Sequence, residues 1–96
     1  MSRSITKMNV KIVIPPFLSH LVNVDVAVVN GRTVGECLKN LVGQFPQLGT
    51  QLFTKNGRLF KYLEVYINGK SAYPNELSRR VNDGDELNIV NIICGG

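Results

Sequence analysis

The sequence predicts an α+β fold, in which a mixed sheet of four or five strands carries one main helix packed across one face. Several short segments alternate apolar and polar residues with a period of two, which is typical of strands with one buried face. Between them, one segment places apolar residues at the spacing of an amphipathic helix. The 96 residues are enough for one domain with a single modest core.

The N-terminal part of the chain predicts a hairpin of two strands. The first strand has apolar residues at alternate positions, Val10, Ile12 and Ile14. Prolines at 15 and 16 end it, because proline cannot donate a hydrogen bond to a β ladder. We expect residues 15–20 to form a loop that exposes the single histidine, His20. The second strand follows, with Val24, Val26 and Val28 alternating with Asp25 and Ala27, and closes at residues 30–31 (NG).

The main helix has the clearest local signal. Residues 33–36 (TVGE) match a capping box, in which Thr33 accepts a hydrogen bond from the amide of Glu36, and the Glu36 side chain accepts one from the amide of Thr33. One apolar stripe follows, made of Val34, Leu38, Leu41, Val42 and Phe45. Pro46 ends the helix nearby. Cys37 lies beside the stripe, where a small buried apolar role is favoured.

The second half of the chain returns to strands after a long connection over residues 46–60. We expect Leu48, Leu52 and Phe53 to hold part of this connection against the core in a short helical turn. Residues 63–67 alternate as a third strand and end at the turn signal of residues 68–69 (NG). A short edge strand at 70–73, an irregular segment anchored by Leu77 and Val81, an acidic turn at 83–86 (DGDE) and a last strand from Leu87 complete the order.

This order predicts a β-grasp (ubiquitin-like) arrangement, because the helix follows a hairpin and precedes a return to the same sheet, whose apolar face it must cover. We divide the chain into a flexible N-terminus over residues 1–7, a β-grasp domain over 8–91, and a flexible C-terminal tail over 92–96 that ends in two glycines.

Gly95 and Gly96 are the most informative residues for function. Glycine has no Cβ, so this end can lie extended in a narrow channel and present an unhindered carboxylate there. The alternative is a frayed end or a cloning remnant. The rest of the predicted domain, whose last strand runs directly into the two glycines, favours the functional interpretation.

The composition excludes several other functions. The chain has no G-x-x-x-x-G-K-[ST] or G-x-G-x-x-G loop for ATP and no set of nucleophile, histidine and acid. One histidine and two cysteines leave no usual zinc or iron–sulfur site, so we expect no metal and no bound cofactor. The N-terminus has no apolar segment of a secretory signal, and no apolar run could span a bilayer, which predicts a cytoplasmic protein without a membrane partner.

The net charge of +4 raises the question of a nucleic-acid partner. Lys55, Arg58 and Lys61 are interleaved with aromatic residues, a pattern that single-strand binders show. No recognised DNA- or RNA-binding motif accompanies them. We therefore predict no nucleic-acid partner, and favour a solvated basic face or one that steers an acidic protein partner.

With these residues in order, the chain resembles the ubiquitin-like sulfur carriers of the MoaD and ThiS family, over residues 8–96. The matching segments are 33–36 (TVGE), Pro46 with Leu48, 63–69 (LEVYING), 83–87 (DGDEL) and the final diglycine. The long connection over 46–62 is more similar to the MoaD branch. Residues 58–61 (RLFK) and 65–68 (VYIN) also resemble the mycobacterial-type carrier that supplies sulfur for cysteine synthesis.

The resemblance implies a carrier that is a co-substrate and not itself an enzyme. A ubiquitin-activating-type adenylyltransferase, using ATP and Mg, would adenylate the Gly96 carboxylate, and sulfide or persulfide would convert it to a thiocarboxylate. A sulfur-accepting synthase or large subunit would be the second partner. The end use stays open among molybdopterin, cysteine or homocysteine, and thiamine synthesis and tRNA thiolation.

Two alternatives remain. A ubiquitin-like modifier would share the adenylation step but join Gly96 to lysines, and a simple binding module would use the sheet alone. Cys94 stands where such carriers tend to have alanine or serine. It is either a small residue suited to the channel or a thiol that forms a mixed disulfide with a partner or takes part in sulfur relay. Ile92, Ile93 and Tyr66 are candidates for partner docking, although both isoleucines could instead belong to the last strand.

Overall fold

The computed structural model describes residues 9–92 and confirms the predicted α+β class. Its five-stranded mixed sheet has the strand order β2-β1-β5-β3-β4. The strands are β1 (Asn9–Val13), β2 (Val26–Asn30), β3 (Leu63–Ile67), β4 (Lys70–Ser71) and β5 (Glu86–Asn91). The two central strands, β1 and β5, are parallel, and the other neighbours are antiparallel.

The main helix, α2 (Val34–Gln44), packs on one face of the sheet and closes the core. Two shorter helices, α1 (Pro16–Val22) and α3 (Gly49–Leu52), and two 3₁₀ turns, Pro46–Leu48 and Glu76–Ser78, complete the element order. The inward side chains of the strands and the apolar side of α2 are almost fully buried, among them Val10, Ile12, Leu38, Leu41, Val65 and Leu87. No helix within residues 9–92 has both the length and the hydropathy to cross a bilayer.

The start of α2 confirms the predicted cap and corrects one of its bonds. The Thr33 hydroxyl accepts from the amide of Glu36 at 3.1 Å. The Glu36 carboxylate accepts from the amide of Arg32 at 2.9 Å, one residue earlier than the predicted partner, Thr33. Gly35 is required here because a Cβ at this position would lie 2.9 Å from the carbonyl oxygen of Leu77. The TVGE motif therefore serves the junction between α2 and the segment before β5.

The predicted loop over residues 15–20 is wrong, because helix α1 begins at Pro16. Proline is tolerated in the first turn of a helix, because the amides there have no acceptor within the helix and a missing N–H costs no hydrogen bond. The amides of Leu18 and Ser19 donate to the carbonyl of Pro15, and Leu18 is fully buried. His20 is exposed as expected, but it lies on this helix.

The second strand is present, but the alternation did not identify its buried face. Ala27 and Val29 are buried, whereas Val26 and Val28 are 46% and 59% exposed. The register with β1 pairs Ile12 with Ala27 and therefore decides which side chains face the core. Because residues 26–29 are all apolar, their sequence cannot distinguish the two faces.

The free edge of β2 is covered by side chains from α2. The Asn40 amide group donates to the carbonyl oxygen of Asn30, and the Gln44 amide group donates to that of Val28 at 3.3 Å. Carbonyls on an edge strand otherwise offer a template for pairing with another chain.

The turns in the second half of the chain form as predicted. Asn68 and Gly69 both have positive φ angles, 50° and 86°, and connect β3 to β4 as a two-residue hairpin turn. Strand β4 is shorter than the predicted 70–73. In the connection after α2, Leu48 and Leu52 are fully buried and Phe53 is packed against the core, as expected. Leu77 and Val81 likewise anchor the segment before β5.

The turn before β5 is built on its own carboxylates. Asp83 accepts from the amide of Asn9 at 2.9 Å. Asp85 accepts from the amide of Asn82 at 2.8 Å and from the side-chain amide of Asn68 at 2.9 Å. These bonds join the start of β1, the β3–β4 turn and the start of β5, so the acidic turn predicted at 83–86 has a structural role.

Candidate functional site

Four of the predicted site residues, Ile93, Cys94, Gly95 and Gly96, lie outside the described residues. The same holds for residues 1–7, and the predicted flexibility at both ends of the chain stays a prediction. The part of the candidate site that the structure describes is the end of β5 and the surface around it.

Backbone hydrogen bonds continue along β5 as far as Ile92, the last residue that the structure describes. Strand β5 lies in the middle of the sheet, parallel to β1 and antiparallel to β3. Leu87 and Ile89 anchor it in the core. Beyond the strand, the amide of Ile92 donates to the carbonyl of Tyr62 at 2.9 Å. A fixed backbone therefore leads to within four residues of Gly96.

Ile92 was predicted either to belong to the last strand or to be exposed for docking, and it has features of both. Its backbone continues the pairing of the sheet, while its side chain is 52% exposed. The side chain lines an open groove of about 660 Å³, together with residues that include Leu59, Phe60, Lys61, Tyr73 and Glu76. Tyr73 is 67% exposed, so two exposed apolar side chains from distant parts of the chain meet in this groove. We call it the exit groove.

The exit groove could not be predicted from the sequence. Its walls come from the end of the connection before β3 with the first two residues of that strand, from the segment after β4, and from the residue after β5. Only the tertiary fold brings these three segments together.

Tyr66 faces away from the core, as the alternation of β3 predicted. Its neighbour Val65 is fully buried, and Tyr66 lies opposite Asn88 on β5 and Ser71 on β4. The Tyr66 phenol donates a hydrogen bond to the Glu64 carboxylate. This bond, and then the negative charge of Glu64, raises the pKa of Tyr66. Glu64 also accepts from the Ser71 hydroxyl at 2.8 Å.

Tyr66 and Ile92 are separated along the sheet, but Glu64 connects them, because its carboxylate accepts a hydrogen bond from the Tyr66 phenol and lines the exit groove with Ile92. Asn88, the partner of Tyr66, precedes Ile92 by four residues, which correspond to about 13 Å along a strand. Tyr66 lies on the outer face of the sheet, and Ile92 lies beyond the end of β5. Their common role in docking stays a prediction.

The cysteine within the described range is not a reactive group. Cys37 is fully buried in the core, and a Cβ at Gly31 would lie 2.6 Å from its Sγ. Burial raises the pKa of the Cys37 thiol from 9.0 to about 11, so the thiol stays protonated at neutral pH. Its predicted packing role is confirmed. Across residues 9–92, no three histidine, cysteine or acidic side chains are grouped so as to hold a metal ion.

Comparison with known proteins supplies the family. The model of the ThiS family matches residues 18–96, a range that includes α2, the four strands β2 to β5 and both final glycines. The chain belongs to the ThiS family. This result confirms the resemblance to ubiquitin-like sulfur carriers, while the predicted closeness to the MoaD branch stays a prediction.

Individual relatives agree with this assignment. The chain is 36% identical over 78 residues to small archaeal modifier protein 1 from Haloferax volcanii, an alignment that covers 81% of this chain and 84% of the relative. A crystal structure of that protein superimposes with a TM-score of 0.80, 27% identity and coverage of 92% and 99% of the two chains.

A second solved structure is similar over nearly the same range. A chain in the BexX/CysO complex from Amycolatopsis orientalis has a TM-score of 0.80 and 26% identity, with 91% of this chain and 99% of that chain covered. These structures confirm the β-grasp fold of this protein.

Proposed function

We propose that this chain is a sulfur carrier whose Gly96 carboxylate is converted to a thiocarboxylate by a partner enzyme. The observation that carries the proposal is the ThiS-family match, which continues through β5 to both glycines. The bond between Ile92 and Tyr62 supports it, because it gives the last four residues a fixed starting point.

The chemistry needs an activating step, because a carboxylate has no good leaving group. The Gly96 carboxylate oxygen attacks the α-phosphorus of ATP, the bond to pyrophosphate breaks, and an acyl adenylate forms. Hydrosulfide then attacks the acyl carbon and displaces AMP. The product loses its proton to become a thiocarboxylate, in which one sulfur has replaced one oxygen. The ATP and its Mg are substrates that the partner binds.

In this reaction the chain determines how far Gly96 reaches and how narrow a channel its last residues can enter. Four residues reach at most about 14 Å when fully extended, so the partner's active site must come within that distance of Ile92. Glycine at the last two positions allows entry into a channel too narrow for a side chain. The catalytic groups belong to the adenylyltransferase and to the sulfur-accepting synthase, and the similarity to a chain solved in the BexX/CysO complex supports such partners.

Whole-protein mass spectrometry tests the proposal. The full chain is incubated with a ubiquitin-activating-type adenylyltransferase from the same organism, ATP, Mg and sulfide. We expect the mass increase of one oxygen replaced by sulfur, and none for a chain lacking Gly96. Cys94→Ala is the matched control, because it changes the adjacent residue and keeps Gly96. An unchanged mass in the full chain, or the same increase without Gly96, would contradict the proposal.

The Cys94 variant also tests the predicted thiol role of that residue. Unchanged formation and transfer of the thiocarboxylate would leave Cys94 as a small residue suited to the channel. A lost transfer step with normal thiocarboxylate formation would favour a role of the Cys94 thiol in passing the sulfur to the acceptor.

The second candidate function is conjugation to proteins, and the name of the relative, a modifier protein, favours it. A lysine amine of a target would attack the same acyl adenylate, release AMP and form an isopeptide bond. Omitting sulfide and adding a lysine-rich target separates the two functions. Gly96-dependent products of higher mass on a denaturing gel identify a modifier, and their absence with normal thiocarboxylate formation identifies a carrier. The pathway that receives the sulfur depends on the accepting partner.

A further inference from the structure

The connection between α3 and β3 carries an unpaired positive charge. Residues 53–62, which we call the basic loop, contain Lys55, Arg58 and Lys61 and no carboxylate. All three side chains are exposed, and within residues 9–92 none of them forms an ion pair or a side-chain hydrogen bond. Glu64 and Glu76 line the exit groove with Lys61, and Glu76 shares a shallow pocket with Arg58, but neither carboxylate is close enough for an ion pair.

The basic loop has an ordered backbone despite its exposed charges. The amide of Thr54 donates to the carbonyl of Arg58 at 2.7 Å, and the amide of Gly57 donates to that of Thr54 at 2.9 Å. The Thr54 hydroxyl accepts from the amide of Arg58 at 3.2 Å. Gly57, with a φ of 79°, completes the turn. The backbone that carries these cations is therefore already formed before a partner binds, which reduces the conformational entropy that the loop loses on binding.

The aromatic side chains of this loop are already engaged. Phe53, Phe60 and Tyr62 pack against the core. Phe60 and Tyr62 also stack on each other, with ring centroids 5.2 Å apart and an interplanar angle of 18°. Single-strand binders use exposed rings as platforms for bases. This arrangement favours a protein partner over a nucleic acid.

The basic loop ends at the exit of the C-terminal residues. Tyr62, its last residue, accepts the hydrogen bond from Ile92 at 2.9 Å. A specific protein interface buries about 800 Å² on each side, a patch roughly 30 Å across, whereas four residues span at most about 14 Å. A partner that encloses residues 93–96 is therefore large enough to reach the basic loop as well.

We propose that the basic loop docks on an acidic protein surface beside the channel that receives the C-terminal residues. These cations remain available to such a surface, because none of them forms an ion pair with a carboxylate of the described chain. Charges of this kind mainly increase the association rate and orient the encounter. The identity of the partner rests on the proposed function, while the affinity of the loop for carboxylates does not.

Two variants with the same net charge form the test. Lys55→Gln, Arg58→Gln and Lys61→Gln together remove the cations of the basic loop. Lys39→Gln, Lys70→Gln and Arg80→Gln together remove three exposed cations elsewhere. Each triple variant lowers the net charge from +4 by three, so non-specific charge effects are equal.

The first measurement needs no partner enzyme. The ¹⁵N-labelled full chain is titrated with decaglutamate and, separately, with decathymidylate. We expect decaglutamate to shift the amide resonances of residues 53–62 in the native chain and in the control triple, and not in the basic-loop triple. Shifts spread over the whole surface would overturn the proposal. Stronger and equally localised binding of decathymidylate would also overturn it and favour a nucleic-acid surface.

The second measurement uses the adenylyltransferase. At about 10 mM salt, where the Debye length is roughly 30 Å, we expect the basic-loop triple to lower kcat/KM for adenylation about tenfold, and the control triple less than about twofold. At about 1 M salt, where charges are screened within roughly 3 Å, the difference should vanish. Equal losses in both triples, or a loss independent of salt, would contradict the proposal. Absence of any adenylation would contradict the proposed function, while the decaglutamate titration would still decide the docking proposal.

Discussion

The two ends of the central strand β5 use charged residues in opposite ways. The acidic turn before the strand holds Asp83 and Asp85, whose carboxylates accept hydrogen bonds from the start of β1, from the β3–β4 turn and from Asn82 in the turn itself. The basic loop beyond its other end holds three cations that make no such bonds within residues 9–92. The six residues of β5 separate these regions by about 20 Å. Charge at one end stabilises the fold, and charge at the other is free for a partner.

Removing a carboxylate from the acidic turn should produce the largest effect on stability. Asp85→Ala leaves the amide of Asn82 and the side chain of Asn68 without their acceptor. We expect the free energy of unfolding to fall by about 3 kcal/mol, measured by urea denaturation. Asp25→Ala is the control, because its exposed carboxylate makes no bond with another residue of the range 9–92, and it should cost less than about 0.5 kcal/mol. Equal losses would remove the distinction between bonded and free charges.

Ionising the buried Cys37 thiol at high pH places a negative charge in the core, where it has no bonding partner among residues 9–92. This case extends the comparison between bonded and free charges. Its folded pKa, raised from 9.0 to about 11, lies above that of the unfolded chain. The stabilising effect is complete below pH 9 and is lost as the pH rises through 11, because the unfolded chain releases the proton first. Between about pH 8 and pH 10.5, the native protein should lose roughly 2 kcal/mol more stability than Cys37→Ala. Parallel pH profiles of the two proteins would contradict this prediction.

The exposed ion pair between Lys11 and Glu86 provides an intermediate case. Their charged atoms are 3.7 Å apart, and the side chains are 54% and 44% exposed. Lys11→Ala should change the free energy of unfolding by about 0.5 kcal/mol or less, with a smaller effect at high salt. Urea denaturation at two salt concentrations measures it. A loss as large as that of Asp85→Ala would show that a simple ion pair stabilises this sheet as well as bonds to the backbone do.

The smallest effect on stability is expected for the basic loop itself. Replacing Lys55, Arg58 and Lys61 by glutamine should leave the free energy of unfolding within about 0.5 kcal/mol of the native value. Thermal and urea denaturation of this triple variant provide the measurement. A clear destabilisation would mean that the cations serve the fold after all, and the two ends of β5 would no longer differ in kind.

The sequence was sufficient for the features that depend on near neighbours. The hydrogen bond from the Glu36 amide to the Thr33 hydroxyl and the turn at residues 68–69 form as predicted, because each depends on residues a few positions apart. The fold class followed from the order of these elements. Helix α1 was missed because proline is tolerated at its first position although it prevents continuation of a strand.

Features that depend on distant pairing could not be predicted in the same way. The exposed face of β2 is set by its register with β1, since the segment is apolar on both faces. The exit groove is assembled from three separate segments. The packing of the partly buried Phe53, Phe60 and Tyr62 against the core, which favours a protein partner over a nucleic acid, also appears only in the folded structure.

The amide groups of Asn40 and Gln44 have a consequence for how the protein behaves when it is abundant. They occupy two carbonyls of β2, on the same strand that exposes two valines to solvent. A sixth strand from another molecule would have to displace both amide groups before it could pair there. Two uncharged side chains on a helix therefore oppose edge-to-edge pairing of this strand with another molecule.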